Sequence, residues 1–142
     1  SYRIGFLIFD GFPMACLTSM IEPLRASNEI SDTKSFEWKL FSENADKVEA
    51  SANVAFETDG KLDEIEKLDA LILLSPPNAD FINSRSVGVI RRLERHGCTI
   101  GAVSGGVFLL AKANVRPNIR YSVHWCYTAA FKNQFPNIIC RF

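Results

Sequence analysis

The sequence predicts an α/β fold, a doubly wound and mostly parallel sheet with helices on both faces. Two nearly continuous apolar runs, at 4–9 and 68–74, carry the mark of strands covered on both sides. Apolar residues then recur at helical spacing after each run, at Met14, Leu17, Ile21 and Leu24 and again at Ile82, Val87, Ile90 and Leu93. A third short run ends at Ser104-Gly105-Gly106 and gives way to a further helical pattern. Strands alternating with helices imply parallel βαβ units.

In order, the run 4–9 is a central strand, and Asp10-Gly11-Phe12-Pro13 turns the chain. Pro13 suits a first helical turn, so a helix runs from there to about Asn28. Pro23 removes one of its hydrogen bonds and pushes Glu22 from regular geometry. The resulting kink would aim Glu22 inward, a solvated helix carboxylate being the alternative. Residues 36–41 alternate apolar and polar, as in a strand covered less completely. Residues 48–50 and 54–56 flank Ser51-Ala52-Asn53 as a small hairpin, and the charged stretch 61–67 reads as a short surface helix.

The strand 68–74 stops abruptly at Ser75-Pro76-Pro77-Asn78, and a helix over 81–96 follows, capped by Gly97. Arg91, Arg92, Arg95 and His96 crowd its last turns, where positive charge complements the helix dipole. Beyond the Ser104 turn and its helix, 119–123 alternates as a strand closed by His124 and Trp125, and 127–135 is helical. Residues 138–142 read as the start of another strand, so the domain is expected to continue past Phe142. The pattern is of the flavodoxin-like kind.

A chain of 142 residues with 47% hydrophobic content has room for one domain with a real core, spanning 1–142. Its 16 basic and 16 acidic residues cancel, so no global field recruits nucleic acid or an anionic membrane, and any DNA contact belongs to another segment. No apolar run reaches the length of a membrane span, and Ser1-Tyr2-Arg3-Ile4 leads straight into a strand without a signal-peptide layout, which points to the cytoplasm. Cys16, Cys98, Cys126 and Cys140 lack metal-ligand spacing and fall in predicted core elements, as buried free thiols do. No metal or cofactor is expected.

The sequence around Ser104 is a relaxed nucleophile elbow, with Ala102 where the first glycine of G-x-S-x-G would stand. Small neighbours are needed because the corner residue is held in a strained conformation while strand and helix approach closely. The positive end of the helix and its unpaired N–H groups favour an anionic group there. In a doubly wound sheet, chemistry lies beyond the carboxyl ends of the strands. Ser104 follows one strand, His124 another, and Glu22 lies on the helix after the first, so the three are expected to meet in one crevice. For His124 the competing reading is a structural residue at a strand end.

Residues 4–9 with Gly11-Phe12, Ile21-Glu22-Pro23-Leu24-Arg25-Ala26-Ser27-Asn28, the stretch 101–111, and His124-Trp125 with Ala130-Phe131 and Phe135-Pro136 together resemble the amino-terminal domain of AraC-type transcriptional regulators. That domain is similar to class I glutamine amidotransferases and PfpI-like proteins. In the wider superfamily a cysteine occupies the elbow, a glutamate from the first helix touches it and a histidine follows the next strand. Those positions fall on Ser104, Glu22 and His124. The resemblance therefore implies a vestigial constellation with no catalytic residue, because serine is too weak an acid to be activated by a helix dipole alone. Relatives also commonly carry Gly-Gly where this chain has Ser75-Pro76, and proline has no N–H to offer an oxyanion.

The expected activity is that of a non-catalytic effector-sensing and dimerisation domain. Its effector is a small nitrogenous metabolite of the kind relatives respond to, such as arginine, betaine or carnitine. Glu22, Ser75, Ser104, Gly105, His124 and Trp125 are the expected ligand-binding residues. Trp38 and Trp125 are candidates for a cation cage, core packing being the competing role. The partners implied are that effector, a second copy of the chain as a homodimer, and DNA only through a helix-turn-helix domain expected after Phe142; no membrane is implied. The alternative is a serine-dependent hydrolase or amidase with Ser104 as nucleophile and His124 as base.

Overall fold

The computed structural model describes residues 1–113 together with the strands Arg120–Ser122 and Ile139–Arg141. Strand β1 (Tyr2–Ile8) is followed by α1 (Met14–Ser31), β2 (Phe36–Ser42), a hairpin of β3 (Lys47–Glu49) and β4 (Ala55–Glu57), and the short β5 (Gly60–Lys61). Then come a 3₁₀ turn (Leu62–Glu64), β6 (Ala70–Ser75), α2 (Ser86–Arg95), β7 (Thr99–Ser104), α3 (Gly106–Ala113), β8 (Arg120–Ser122) and β9 (Ile139–Arg141).

Strands β5, β2, β1, β6 and β7 lie side by side in that order, every pair parallel. From β1 the chain goes first to one side, to β2, and later to the other, to β6. The switch point falls between β1 and β6, and the crevice opens beyond their carboxyl ends. The expected hairpin forms with antiparallel pairing, and β8 pairs in parallel with β9.

The continuous apolar runs serve two cores by simple alternation. Leu7, Phe9, Leu71 and Leu73 face one layer, packing with Ile90, Leu93 and Leu109 from α2 and α3. Phe6, Ile8 and Leu74 face the other, against Leu17 of α1 and Val48 of the hairpin. Trp38 packs on this second core opposite Ile4, far back from the strand ends, in the packing role.

The outer edge of β2 is closed by side chains. Asn28 donates to the Phe36 carbonyl and accepts from its N–H, as a neighbouring strand would. Asp59 does the same for Leu40, its carboxylate accepting the Leu40 N–H and its own N–H donating to the Leu40 carbonyl. Such plugs blunt an edge that would otherwise template strand addition.

Three elements differ from expectation. Helix α1 runs on to Ser31 and holds Pro23 inside it. The carbonyl that loses its partner is that of Ser19, an exposed residue, where solvent takes over the bond. The stretch 61–67 is a single 3₁₀ turn, because Leu62 and Ile65 are drawn into the core. Helix α2 starts at Ser86 rather than at Phe81, and Ile82 is 81% exposed. The Glu43 carboxylate accepts the N–H groups of Ile82 and Asn83, just before the helix starts.

At the far end of α2 the basic residues grip carbonyls. Arg91 donates to Ala113 and Arg92 to Ile65, tying α2 to α3 and to the 3₁₀ turn. No described helix is long and apolar enough to cross a membrane.

Candidate functional site

The turn from β7 into α3 is an elbow in the physical sense. Ser104 has φ 53°, a left-handed conformation that costs a non-glycine residue roughly 1–2 kcal/mol. Its neighbours are glycines by necessity. A Cβ on Gly105 would lie 2.3 Å from the Pro76 carbonyl carbon and 2.4 Å from the Pro77 nitrogen, and one on Gly106 would lie 2.2 Å from the Leu73 carbonyl oxygen. The Ala102 Cβ would stand 3.4 Å from that same Gly106 Cβ, so residue 102 lies beside the corner.

Three corners meet here. Gly11, at φ 83° beyond β1, faces Pro76, whose ring would stand 3.3 Å from a Cβ at position 11. Pro76 in turn packs on Gly105, so the ends of β1, β6 and β7 stack against one another at the switch point. Ser104 is half-buried, and among the described residues no hydrogen bond engages its hydroxyl.

The other expected site residues are placed unevenly. Gly105 is buried beneath the Pro76–Pro77 peptide. Ser75 pairs in register with Ser104 but is wholly buried, its hydroxyl donating to the Pro76 carbonyl at 3.0 Å, so it shapes the floor rather than lining the crevice. Glu22 is not aimed inward. Its side chain is 60% exposed and pairs with Arg25 at 2.7 Å, and Arg25 also holds Glu29 at 2.9 Å. Hydrogen bonds to Glu22 and Glu29 keep the Arg25 guanidinium above its usual pKa. The helix continues through Pro23, and Glu22 is solvated on it. His124 and Trp125, like Cys126 and the stretch 127–135, lie outside the described residues.

Sequence reading missed Gly11, Pro77 and Glu43. Asp10-Gly11 announced a turn but not its nearness to Ser104, and nothing local marks Glu43. Two features stand apart from the elbow. Cys98 is buried in the α2 core, where desolvation and then the charge of Asp69 push its thiol up to about 11. A cavity of about 770 Å³ runs along the outer edge of β2, with Phe36, Trp38 and Leu68 among its walls and Lys39, Lys67, Glu37 and Glu66 at its rim, a mixture that selects no ligand charge. Among the described residues no group of three His, Cys, Asp or Glu side chains stands close enough to hold a metal.

A parallel doubly wound sheet with a strained residue at a glycine-flanked strand-to-helix corner defines the class: a flavodoxin-like α/β fold, the fold also found in DJ-1 superfamily proteins. A DJ-1 superfamily protein from Salmonella typhimurium superposes with TM-score 0.76 at 16% identity, covering 99% of this chain and 74% of that one. An AraC family transcriptional regulator from Pseudomonas putida superposes more closely, with TM-score 0.85 at 20% identity, covering 99% of this chain and 76% of that one. No family model matches the chain.

In sequence, the chain is 30% identical over 136 residues to the HTH-type transcriptional regulator GbdR of Pseudomonas aeruginosa, covering 95% of this chain. It is thus a homologue of AraC-type helix-turn-helix regulators, and its fold is the one they share with PfpI-like proteins. The chain spans 37% of the length of GbdR.

Proposed function

We propose that this chain is the non-catalytic, effector-binding and dimerising part of an AraC-type transcriptional regulator, acting in the cytoplasm. Its effector is a small nitrogenous metabolite, bound in the crevice beside Ser104, and DNA is contacted only through a separate helix-turn-helix domain. The observation that carries this reading is the Pro76–Pro77 peptide lying on Gly105. Neither Pro76 nor Pro77, which stand against Gly105, has an N–H to give to an oxyanion. An oxyanion-hole donor is worth roughly 10²–10³ in rate, so its loss disfavours acyl transfer more than it disfavours binding. The Ser104 hydroxyl remains as a polar anchor, with His124 and Trp125 kept as its partners on the strength of the sequence motif. Glu22 and Ser75 drop out of the direct contacts, one paired on the outer face and the other beneath the floor.

The strained φ of Ser104 favours a second reading, a serine hydrolase or amidase, because strain of this kind presents a nucleophile. A serine-reactive phosphonate separates the two. The sensor reading expects no adduct at Ser104; an adduct that disappears in Ser104→Ala overturns it. Thermal shifts across a panel of amines and amino acids then test the effector, since a ligand at 100 times its Kd adds about 2.7 kcal/mol.

A further inference from the structure

Among the described residues Glu43 is the one buried charged side chain, only 6% exposed, just beyond the end of β2. Among the described residues no cation pairs with it. Its charge is met instead by four hydrogen bonds from one segment. Oε1 accepts the Ile82 N–H at 3.0 Å, while Oε2 accepts Ile82 again at 3.1 Å, the Asn83 N–H at 3.0 Å and the Ser86 hydroxyl at 2.5 Å. Every partner is a donor at or before the start of α2, where the helix dipole also favours negative charge. The arrangement calls for an acceptor-only group, and an ionised carboxylate is one.

The segment held in this way is the strap that begins at Pro76. Its first residues rest on Gly105 and face Gly11, and its last is fastened by Glu43. Between them the Phe81 ring meets Phe9 edge-on at 5.9 Å, and Asp80 pairs with Lys112 of α3. Lys112 also donates to the Ala79 carbonyl at 3.3 Å, but the Asp80 carboxylate is 75% exposed, and such a pair holds weakly. Glu43 is therefore the strong polar fastening on the strap, because buried charge-assisted hydrogen bonds are the costly ones to lose.

We propose that Glu43 is the positioning residue of the elbow crevice: by anchoring Ile82, Asn83 and Ser86 it sets how closely Pro76 and Pro77 stand over Ser104 and Gly105. The proposal rests on the reading of that crevice as the binding site, but it is tested without a ligand.

The test places a reporter thiol at the elbow by Ser104→Cys and measures its modification by a disulfide reagent, resolved by position in a mass spectrometer. The same chain is compared with Glu43→Gln added, which keeps the shape but turns one acceptor into a donor, and with Ser86→Ala, which removes one donor. In Glu43→Gln, labelling at 104 and amide exchange at Ile82 and Asn83 are each expected to rise roughly tenfold or more. Ser86→Ala is expected to fall between this and the parent, and the buried Cys98 to keep its parent rate. Glu43→Asp, restoring an ionised acceptor, is expected to recover part of the protection. Faster exchange at 82 and 83 with unchanged labelling at 104 overturns the proposal and leaves the regulator reading intact. Equal acceleration at 98 and 104 also overturns it, since Glu43 would then support the whole fold. An adduct of Ser104 with the phosphonate would defeat the sensor reading and leave the strap result standing.

Discussion

Gly105→Ala places a methyl group where three backbone atoms already stand. The new carbon would lie 2.3 Å from the Pro76 carbonyl carbon, 2.4 Å from the Pro77 nitrogen and 2.5 Å from the Ser75 carbonyl oxygen. Carbon contacts settle near 3.5 Å, so the methyl intrudes by about 1 Å, and no side-chain rotation relieves it. Overpacking costs typically about 1–3 kcal/mol, and collision with backbone on two prolines belongs at the top of that range. Taking about 3 kcal/mol and a slope of about 2–4 °C per kcal/mol, Tm falls by roughly 6–12 °C. The control is Gly88→Ala, in the first turn of α2 with nothing within 4 Å of the added Cβ. There the same chemical change improves helix propensity and adds about 0.5–1 kcal/mol. Urea melts of the two variants and the parent, at one protein concentration, give both numbers. If Gly105→Ala costs less than about 1 kcal/mol, the strap does not rest on the elbow, and the argument from Pro76 and Pro77 falls with it.

Other consequences are smaller in scope. With its thiol held near 11, Cys98 is expected to resist alkylation in the native chain at pH 8 and to react at once in urea; equal rates would refute its burial. Its raised pKa also has a stability sign: above the unfolded value near 9 the unfolded chain releases a proton that the folded one keeps, so stability falls between pH 9 and 11, and Cys98→Ala flattens that decline in pH-dependent melts. Asn28→Ala unplugs the Phe36 peptide groups on the β2 edge and is expected to raise self-association with concentration, read by light scattering. Lys112→Ala removes a mostly exposed ion pair to Asp80 and is expected to change stability by no more than about 1 kcal/mol in the same melts.

What the sequence made legible is what neighbouring residues decide among themselves. The runs that became β1 and β6 are apolar without interruption because both faces of each are covered, and no other segment need be known to see it. The elbow is legible for the same reason, since the small residues at 105 and 106 answer to a corner built within a few residues. Glu22 was misread because the effect of Pro23 depends on where Ser19 points, and its exposed carbonyl has water to turn to. Helix α2 starts later than the apolar spacing predicts, at Ser86, whose hydroxyl donates to a carboxylate 43 residues earlier, and an acidic residue at the end of a strand carries no mark of what it will accept.

The retention of strain at Ser104 bears on function more than the identity of the atom there. Glycine at 104 would avoid a cost of roughly 1–2 kcal/mol in the left-handed region, and the next two positions are already glycine. A turn that served only to reverse the chain would gain from that change. Holding a serine there keeps a hydroxyl at the switch point, half-buried and without a hydrogen bond among the described residues. A half-buried hydroxyl of this kind can take its hydrogen bond from solvent or from a polar ligand. The strain and the open hydroxyl therefore point the same way, to a side chain kept for what enters the crevice. On the proposed reading, two prolines over Gly105, neither with an N–H to give, favour recognition over cleavage.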